Sequence, residues 1–439
     1  MLEQKYIIGK SAVKIARSIE AAVAAGKVLP GQQLPAVRHL AKHLGIAGAT
    51  VAAAYRILQE RGVTIAERRR GTRVRPSAPA APAPPPPPRG VRDLVAGNPD
   101  RELLPDPRRQ LRVLKVRRRL YGEELNDRDL VRVAGSHFRA DALPNKDIAV
   151  VSGALDGIER VLREQLRPGD RVLVEDPCFA GILDVLAALA LVPVPVAVDD
   201  EGMQPDALVR AMRIAAAAII VTPRAQNPTG AAITRSRARR LRTILRQRPD
   251  LLLIEDDHAG RVAGAPYMTL VEPPRQRWAV VRSVSKFFGP DLRVAIMTGD
   301  AETIQALERR QTIGMRWVSH VLQALVAALW RDRTVQRQLA LAEKTYATRR
   351  RALLRALEAT GIEAHGKSGL NVWIPVIDES ATVQSLFQSG WAVHAGESYR
   401  IASGPAIRVT IARLSPADAK RFAADLAGTM TSQGRTMAA

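Results

Sequence analysis

Residues 76–90 constrain this chain most: Pro-Ser-Ala-Pro-Ala-Ala-Pro-Ala, then Pro84 through Pro88 in succession, then Arg-Gly. Proline has no amide hydrogen and a fixed φ, so neither a helix nor a central strand crosses this stretch. It reads as a semi-rigid polyproline II spacer, which at about 3.1 Å per residue reaches roughly 45 Å. A ligand for an SH3-type partner is the weaker reading, because sequence able to fold lies on both sides. Each side must therefore complete its own core. The expected division is a domain at 1–75, a linker at 76–90 and a large domain at 91–430; 439 residues suffice for two or three domains.

Composition narrows the class. A hydrophobic content of 46% supports large cores, yet no run of about 18 apolar residues predicts a membrane span. Met1 to Lys5 open no apolar signal segment, so a cytoplasmic protein is expected. Cys178 is the one cysteine, which excludes an internal disulfide and a cysteine-rich metal site and fits a reducing compartment; no metal is expected. The formal net charge of +23 suggests a polyanionic partner, although an arginine-rich composition also follows from a GC-rich genome. Distribution favours the partner: residues 1–75 hold 14 Lys and Arg against 4 Asp and Glu.

In that front segment, Ser11 to Val23 repeats apolar residues at helical spacing, and Gly26 ends the pattern. Lys27 to Pro35 reads as a turn-bound connector. Helices are predicted over about 36–44 and 48–61, with Gly45 between them and Gly62 at the end. Two short helices around a glycine turn form a helix-turn-helix, whose second helix enters the DNA major groove. Val63 to Ile65 and Arg68 to Val74 alternate like a small hairpin with a cationic tip, suited to phosphates. The residues Leu29-Pro30-Gly31, Leu34-Pro35-Ala36-Val37-Arg38, Leu44-Gly45-Ile46, Thr50-Val51, Tyr55, Leu58 and Gly71-Thr72-Arg73-Val74 make this segment resemble a GntR-type winged helix. That resemblance implies that Arg38, Thr50, Arg70, Gly71 and Thr72 face double-stranded operator DNA. The family usually places Ser-Arg at the start of the recognition helix, where this chain has Ala47-Gly48, so affinity or sequence choice is expected to differ. A basic helical module that binds protein is the competing reading.

Beyond residue 91, short apolar runs alternate with helix-length segments. The runs at 148–151, 171–174, 218–221 and 251–254 predict an α/β domain, a mainly parallel sheet covered by helices. Ligands of such sheets bind where strands end, and chemistry-bearing residues follow each run. Ser152-Gly153-Ala154 makes a small-residue turn able to present amides to a phosphate. Phe179 offers an aromatic face, Asn227 lies in Asn-Pro-Thr-Gly, and Asp256 lies in Glu-Asp-Asp-His. Trp278 to Val281 then leads into Arg282-Ser283-Val284-Ser285-Lys286-Phe287-Phe288-Gly289-Pro290-Asp291-Leu292-Arg293. A sequestered lysine loses its proton and condenses with an aldehyde, two hydroxyls and an arginine neutralise a phosphate, and a carboxylate holds a pyridine nitrogen protonated. Arg408, in a late strand-like run, suits a carboxylate. Taken singly, each is ordinary: a turn, a helix cap, a core histidine, a solvated arginine.

Their order resembles a fold-type I pyridoxal 5'-phosphate (PLP) enzyme of the aspartate aminotransferase superfamily, with helices on both faces of the sheet. The resemblance implies that Lys286 is the Schiff-base residue, Asp256 the partner of the pyridinium nitrogen, and Phe179 the residue stacked on the ring. It further implies Asn227 and His258 near the phenolic oxygen, Gly153, Ala154, Ser283, Ser285 and Arg293 around the phosphate, and Arg408 on a ligand carboxylate. Gly97-Asn98-Pro99-Asp100 and Tyr121-Gly122 match the entry segments of that group, in which such a tyrosine reaches the neighbouring subunit's phosphate; a homodimer follows. A winged helix, a linker and such a domain together resemble the MocR/GabR regulators, and Glu-Asp-Asp-His with Phe-Phe-Gly-Pro-Asp-Leu-Arg is nearest to PtsJ-type members linked to vitamin B6 salvage. Most of the group has tyrosine where His258 stands. The expected function is a PLP-dependent transcription regulator whose effector is PLP or an amino compound. Two further readings remain: an active PLP-dependent aminotransferase, and a scaffold that has lost the cofactor.

Overall fold

A computed structural model describes residues 6–24, 27–29, 31–60, 63–67, 71–74 and 87–438. The chain separates into two compact units, one built mainly on the residues before position 86 and one on those after it. The predicted wing tip at 68–70 and the helix end at 61–62 lie outside the described residues, as does most of the proline spacer.

The first unit has three helices, Ala12–Ala24 (α1), Val37–Leu44 (α2) and Gly48–Glu60 (α3), followed by two antiparallel strands, Thr64–Glu67 (β1) and Gly71–Val74 (β2). Apolar spacing produces one core: Ile15 and Ile19 of α1, Leu40 of α2, and Val51 and Leu58 of α3 are all fully buried. The turn from α2 to α3 needs a left-handed residue, and Gly45 supplies it at φ 62°, donating its N–H to Ala41 and Lys42 carbonyls. The buried Tyr55 hydroxyl donates to the Pro35 carbonyl at 2.7 Å. The segment read as a connector does more than connect. Leu34 N–H donates to Thr72 at 2.8 Å and Val74 N–H to Gln32 at 2.9 Å, so it lies extended beside β2 and satisfies that strand's free edge.

In the second unit, Arg92–Asp93 (β3) precedes an eight-stranded sheet. Its strands are Ile148–Val151 (β4), Arg171–Asp176 (β5), Val192–Asp199 (β6), Gly202–Met203 (β7), Ala218–Val221 (β8), Leu252–Asp257 (β9), Trp278–Ser283 (β10) and Ala295–Gly299 (β11). Their spatial order is β4-β11-β10-β9-β8-β5-β6-β7. The centre is parallel from β10 through β9 and β8 to β5, while β11 runs against both β10 and β4. Consequently the chain leaves the sheet at Ser283 and re-enters it beside Ser283 at Ala295, and the lysine segment becomes a loop pinned at both ends. The expected run at 251–254 begins one residue later and continues to Asp257. Glu255, Asp256 and Asp257 are therefore strand residues, all buried, rather than a loop after the strand. Two of them are matched to their surroundings: Tyr267, Thr269 and Leu270 donate to Glu255, and Arg224 and Arg282 donate to Asp257.

A smaller sheet completes this unit: Asn371–Pro375 (β12), His394–Ala395 (β14) and Ala406–Thr410 (β15), in the order β12-β15-β14. Trp391–Ala392 (β13) pairs with β3 instead, which ties the opening of the unit to its end. No helix among the described residues is long and apolar enough to cross a membrane.

Candidate functional site

The carboxyl ends of the central strands, the pinned loop and β15 converge on a cavity of about 290 Å3. Ala154, Phe179, Asn227, Asp256, His258, Ser283, Ser285, Lys286, Arg293 and Arg408 all line it. Gly97 lines it as well, and its carbonyl accepts a hydrogen bond from Lys286 Nζ at 2.7 Å. Burial draws the Lys286 ammonium down from the ordinary lysine range to about 8; the Arg408 guanidinium adds to the effect and Asp256 opposes it. The amine therefore reaches its reactive neutral form at a lower pH than an ordinary lysine does.

Asp256 forms the floor. Burial pushes its carboxyl up to about 7, repulsion from Asp257 adds to this, and Lys286 pulls it back. Its Oδ1 is buried without a hydrogen-bond partner among the described residues. The next carboxylate behaves in the opposite way. Arg224 grips Asp257 with two bonds of 2.8 Å and Arg282 adds a third of 2.6 Å. Burial alone would raise the Asp257 carboxyl, but those two guanidinium groups outweigh it and hold the carboxyl well below the usual range. Neighbours on a strand face opposite sides, so one Asp serves the cavity and the other anchors the sheet. His258 is drawn down to about 4, first by burial and then by Lys286, which leaves a neutral imidazole at pH 7.

One end of the cavity is built from small groups and an arginine. Ser283 and Ser285 hydroxyls lie 2.8 Å apart, and Arg293, held in the left-handed region at φ 48°, donates to the Ser152 carbonyl at 2.9 Å. Gly153 has φ +118°, and a Cβ there would meet Arg293 Nη2 at 2.7 Å. At the other end, Arg408 donates to Asn227 Oδ1 at 3.3 Å and to the Val95 carbonyl, while its guanidinium sits 5.0 Å from the Tyr399 ring centre. Asn227 Oδ1 also accepts from Asn371 Nδ2 at 3.2 Å.

Of the expected cofactor residues, Tyr121 and Gly153 are not among those lining the cavity. Tyr121 is 79% exposed, packs against the Trp317 ring at 5.6 Å and does not line the cavity. Arg70 lies outside the described residues. Sequence reasoning missed the Gly97 carbonyl, Asn371 and the Arg224–Asp257–Arg282 cluster. The last had a signal: two adjacent aspartates on a buried strand must present one carboxylate to each face, and the second needs cations from its neighbours.

A family model described as aminotransferase class I and II matches residues 129–426, more than half of the chain. The chain belongs to that family. Residues 11–74 match a second model, bacterial regulatory proteins of the gntR family, so the aminotransferase-family body carries a GntR-type DNA-binding head and the chain is a transcription regulator of that composite type. It is 40% identical over 424 residues to the vitamin B6 salvage pathway transcriptional repressor PtsJ of Salmonella typhimurium, covering 96% of this chain and 98% of that one. It is 26% identical to the HTH-type transcriptional regulator TauR of Rhodobacter capsulatus, covering 81% of each. The aminotransferase-family fold also superposes on a Pyrococcus horikoshii kynurenine aminotransferase with a TM-score of 0.69 at 20% identity, over 78% of this chain and 91% of that one. In the GntR-type head, Arg38 and Gly71 are exposed and Thr50 and Thr72 half-buried.

Proposed function

We propose that this regulator responds to pyridoxal 5'-phosphate and controls genes of vitamin B6 metabolism. One observation carries the reading: a single cavity holds a buried lysine amine, an unpartnered buried aspartate oxygen and an anion end made of two serines and an arginine. These residues fit the cofactor. Asp256 Oδ1 lacks the proton donor that a pyridinium nitrogen provides, and with no Cβ at Gly153 the Arg293 guanidinium lies directly against the turn whose amides suit a phosphate. Bound there, PLP would supply an aldehyde and an electron-poor ring.

The chain's own residues divide the remaining work. Lys286 offers the amine, Asp256 keeps a proton on the ring nitrogen, and Phe179 covers the ring. Ser283, Ser285, Arg293 and the Gly153–Ala154 amides bind the phosphate. Asn227 and His258 face the phenolic oxygen, and Arg408 takes the carboxylate of an amino-compound effector. Leu120 and Tyr121, exposed by 74% and 79%, form an apolar projection suited to a second copy of the chain, and a homodimer in the cytoplasm is the proposed state. Arg38, Thr50, Arg70, Gly71 and Thr72 are the proposed operator contacts. The effector acts by favouring one of two arrangements, and only its differential affinity for them can shift operator binding.

The 40% identity to a B6-salvage repressor supports the choice of regulated process. Gel shifts with duplex from upstream of the chain's own gene, with and without PLP, test the proposal together with Lys286→Ala. Specific retardation that changes with PLP in wild type but not in the variant is expected. An unchanged yellow colour and PLP response in Lys286→Ala overturns it.

A further inference from the structure

Arginine only donates hydrogen bonds, and that fact fixes the direction of every bond beside it. Arg408 Nη1 contacts the Asn227 amide, so the contacting Asn227 atom is its oxygen. The Asn371 atom that meets the same oxygen must then be its amide nitrogen, at 3.2 Å. That leaves Asn371 Oδ1 to face Thr410, whose hydroxyl donates to it at 3.0 Å. Asn371 and Thr410 are directly opposite on β12 and β15, and both are buried, at 7% and 5% exposure. A one-way relay therefore runs from Thr410 through Asn371 to Asn227. With its oxygen committed twice, Asn227 has only N–H left to present to the cavity that it lines.

We infer that Asn371, set by the Thr410 hydroxyl, is a positioning residue that holds the Asn227 amide with its N–H turned toward the bound cofactor. The inference rests on the proposed PLP site. Its value lies in the second bond. A ligand carboxylate that engages Arg408 competes for the guanidinium and weakens the 3.3 Å contact to Asn227, whereas the Asn371 bond is made from the opposite strand and persists. Asn227 then keeps one orientation in both ligand states. An amide N–H aimed at the phenolic oxygen favours its anionic form and lowers the pH at which it ionises. Lys286, Asp256, His258 and Arg408 share the cavity and are the same in every variant below, so differences between variants report the amide.

The test is an absorbance titration of full-length, PLP-loaded protein between pH 5 and 10. Asn371→Leu and Thr410→Val are expected to move the cofactor's ionisation midpoint upward by about one pH unit, a tenfold change. Thr410→Ser, which keeps the donor, should titrate with wild type. Melting temperatures identify a variant that fails to fold, and the Thr410→Val and Thr410→Ser pair decides if Asn371→Leu does. Variants that load PLP yet titrate with wild type overturn the inference and leave the PLP site standing. A wild-type protein that acquires no PLP absorbance sinks the proposed function itself.

Discussion

Lys286 and Asp256 show how burial sets reactivity residue by residue. Only a neutral amine attacks an aldehyde, and burial brings Lys286 down to about 8. The rate of PLP loading, followed by stopped-flow absorbance, should therefore rise with pH and level off above about 8, well below the range of an ordinary lysine. The sign for stability follows from the same shift. The folded state binds fewer protons between about 8 and the unfolded lysine value, so the burial cost is present in full at neutral pH and falls away as pH rises through that window. Gly153 tests the opposite end of the site. Alanine there is strained at φ +118° and its Cβ would meet Arg293 Nη2 at 2.7 Å. Gly153→Ala should weaken PLP binding by about tenfold or more, ~1.4 kcal/mol, in a fluorescence titration. That Ser283, Ser285 and Arg293 share one cavity was readable in the sequence because they flank a single loop. Tyr121 was legible as a residue but not as a place: it packs against Trp317 and does not line the cavity.

Elements transmit these demands through their ends. β10 and β11 are neighbours and antiparallel, so the loop between them cannot drift, and Lys286 inherits its position from the sheet. Gly45 does the same for the turn between α2 and α3, but for a different reason than Gly153. Its φ is 62° and a Cβ added there would meet nothing within 4 Å, so only the backbone objects. Gly45→Ala should cost about 1 kcal/mol of head stability and lower operator affinity only as far as the head unfolds, as thermal melts and anisotropy titrations on the same samples would show. The predicted end of β9 was short by three residues for a physical reason. Charged residues at a strand end read as a loop, since the cations that neutralise Asp257 come from Arg224 and Arg282, 33 and 25 positions away.

At the scale of the molecule, the two units meet separate requirements. Among the described residues, the buried core of the head is drawn from positions between Ile7 and Val74, with Leu40 fully enclosed. Leu40→Ala should destabilise the head by about 2–5 kcal/mol and abolish or sharply weaken operator binding, while PLP absorbance and its pH midpoint stay at wild-type values. Loss of both readouts together would show that the units fold as one. What the sequence determined by itself was local or periodic. Helical spacing gave the head's core, apolar runs gave most of the sheet, and short motifs named most of the cavity's walls. Tertiary structure decided which atoms those residues present. Asp256 rather than Asp257 opens to the cavity because two distant arginines claim the other carboxylate, and Asn227 offers its N–H because Arg408 and Asn371, brought to it by a separate sheet, claim its oxygen. Hydrogen-bond direction depends on partners, and these partners meet only when the chain has folded.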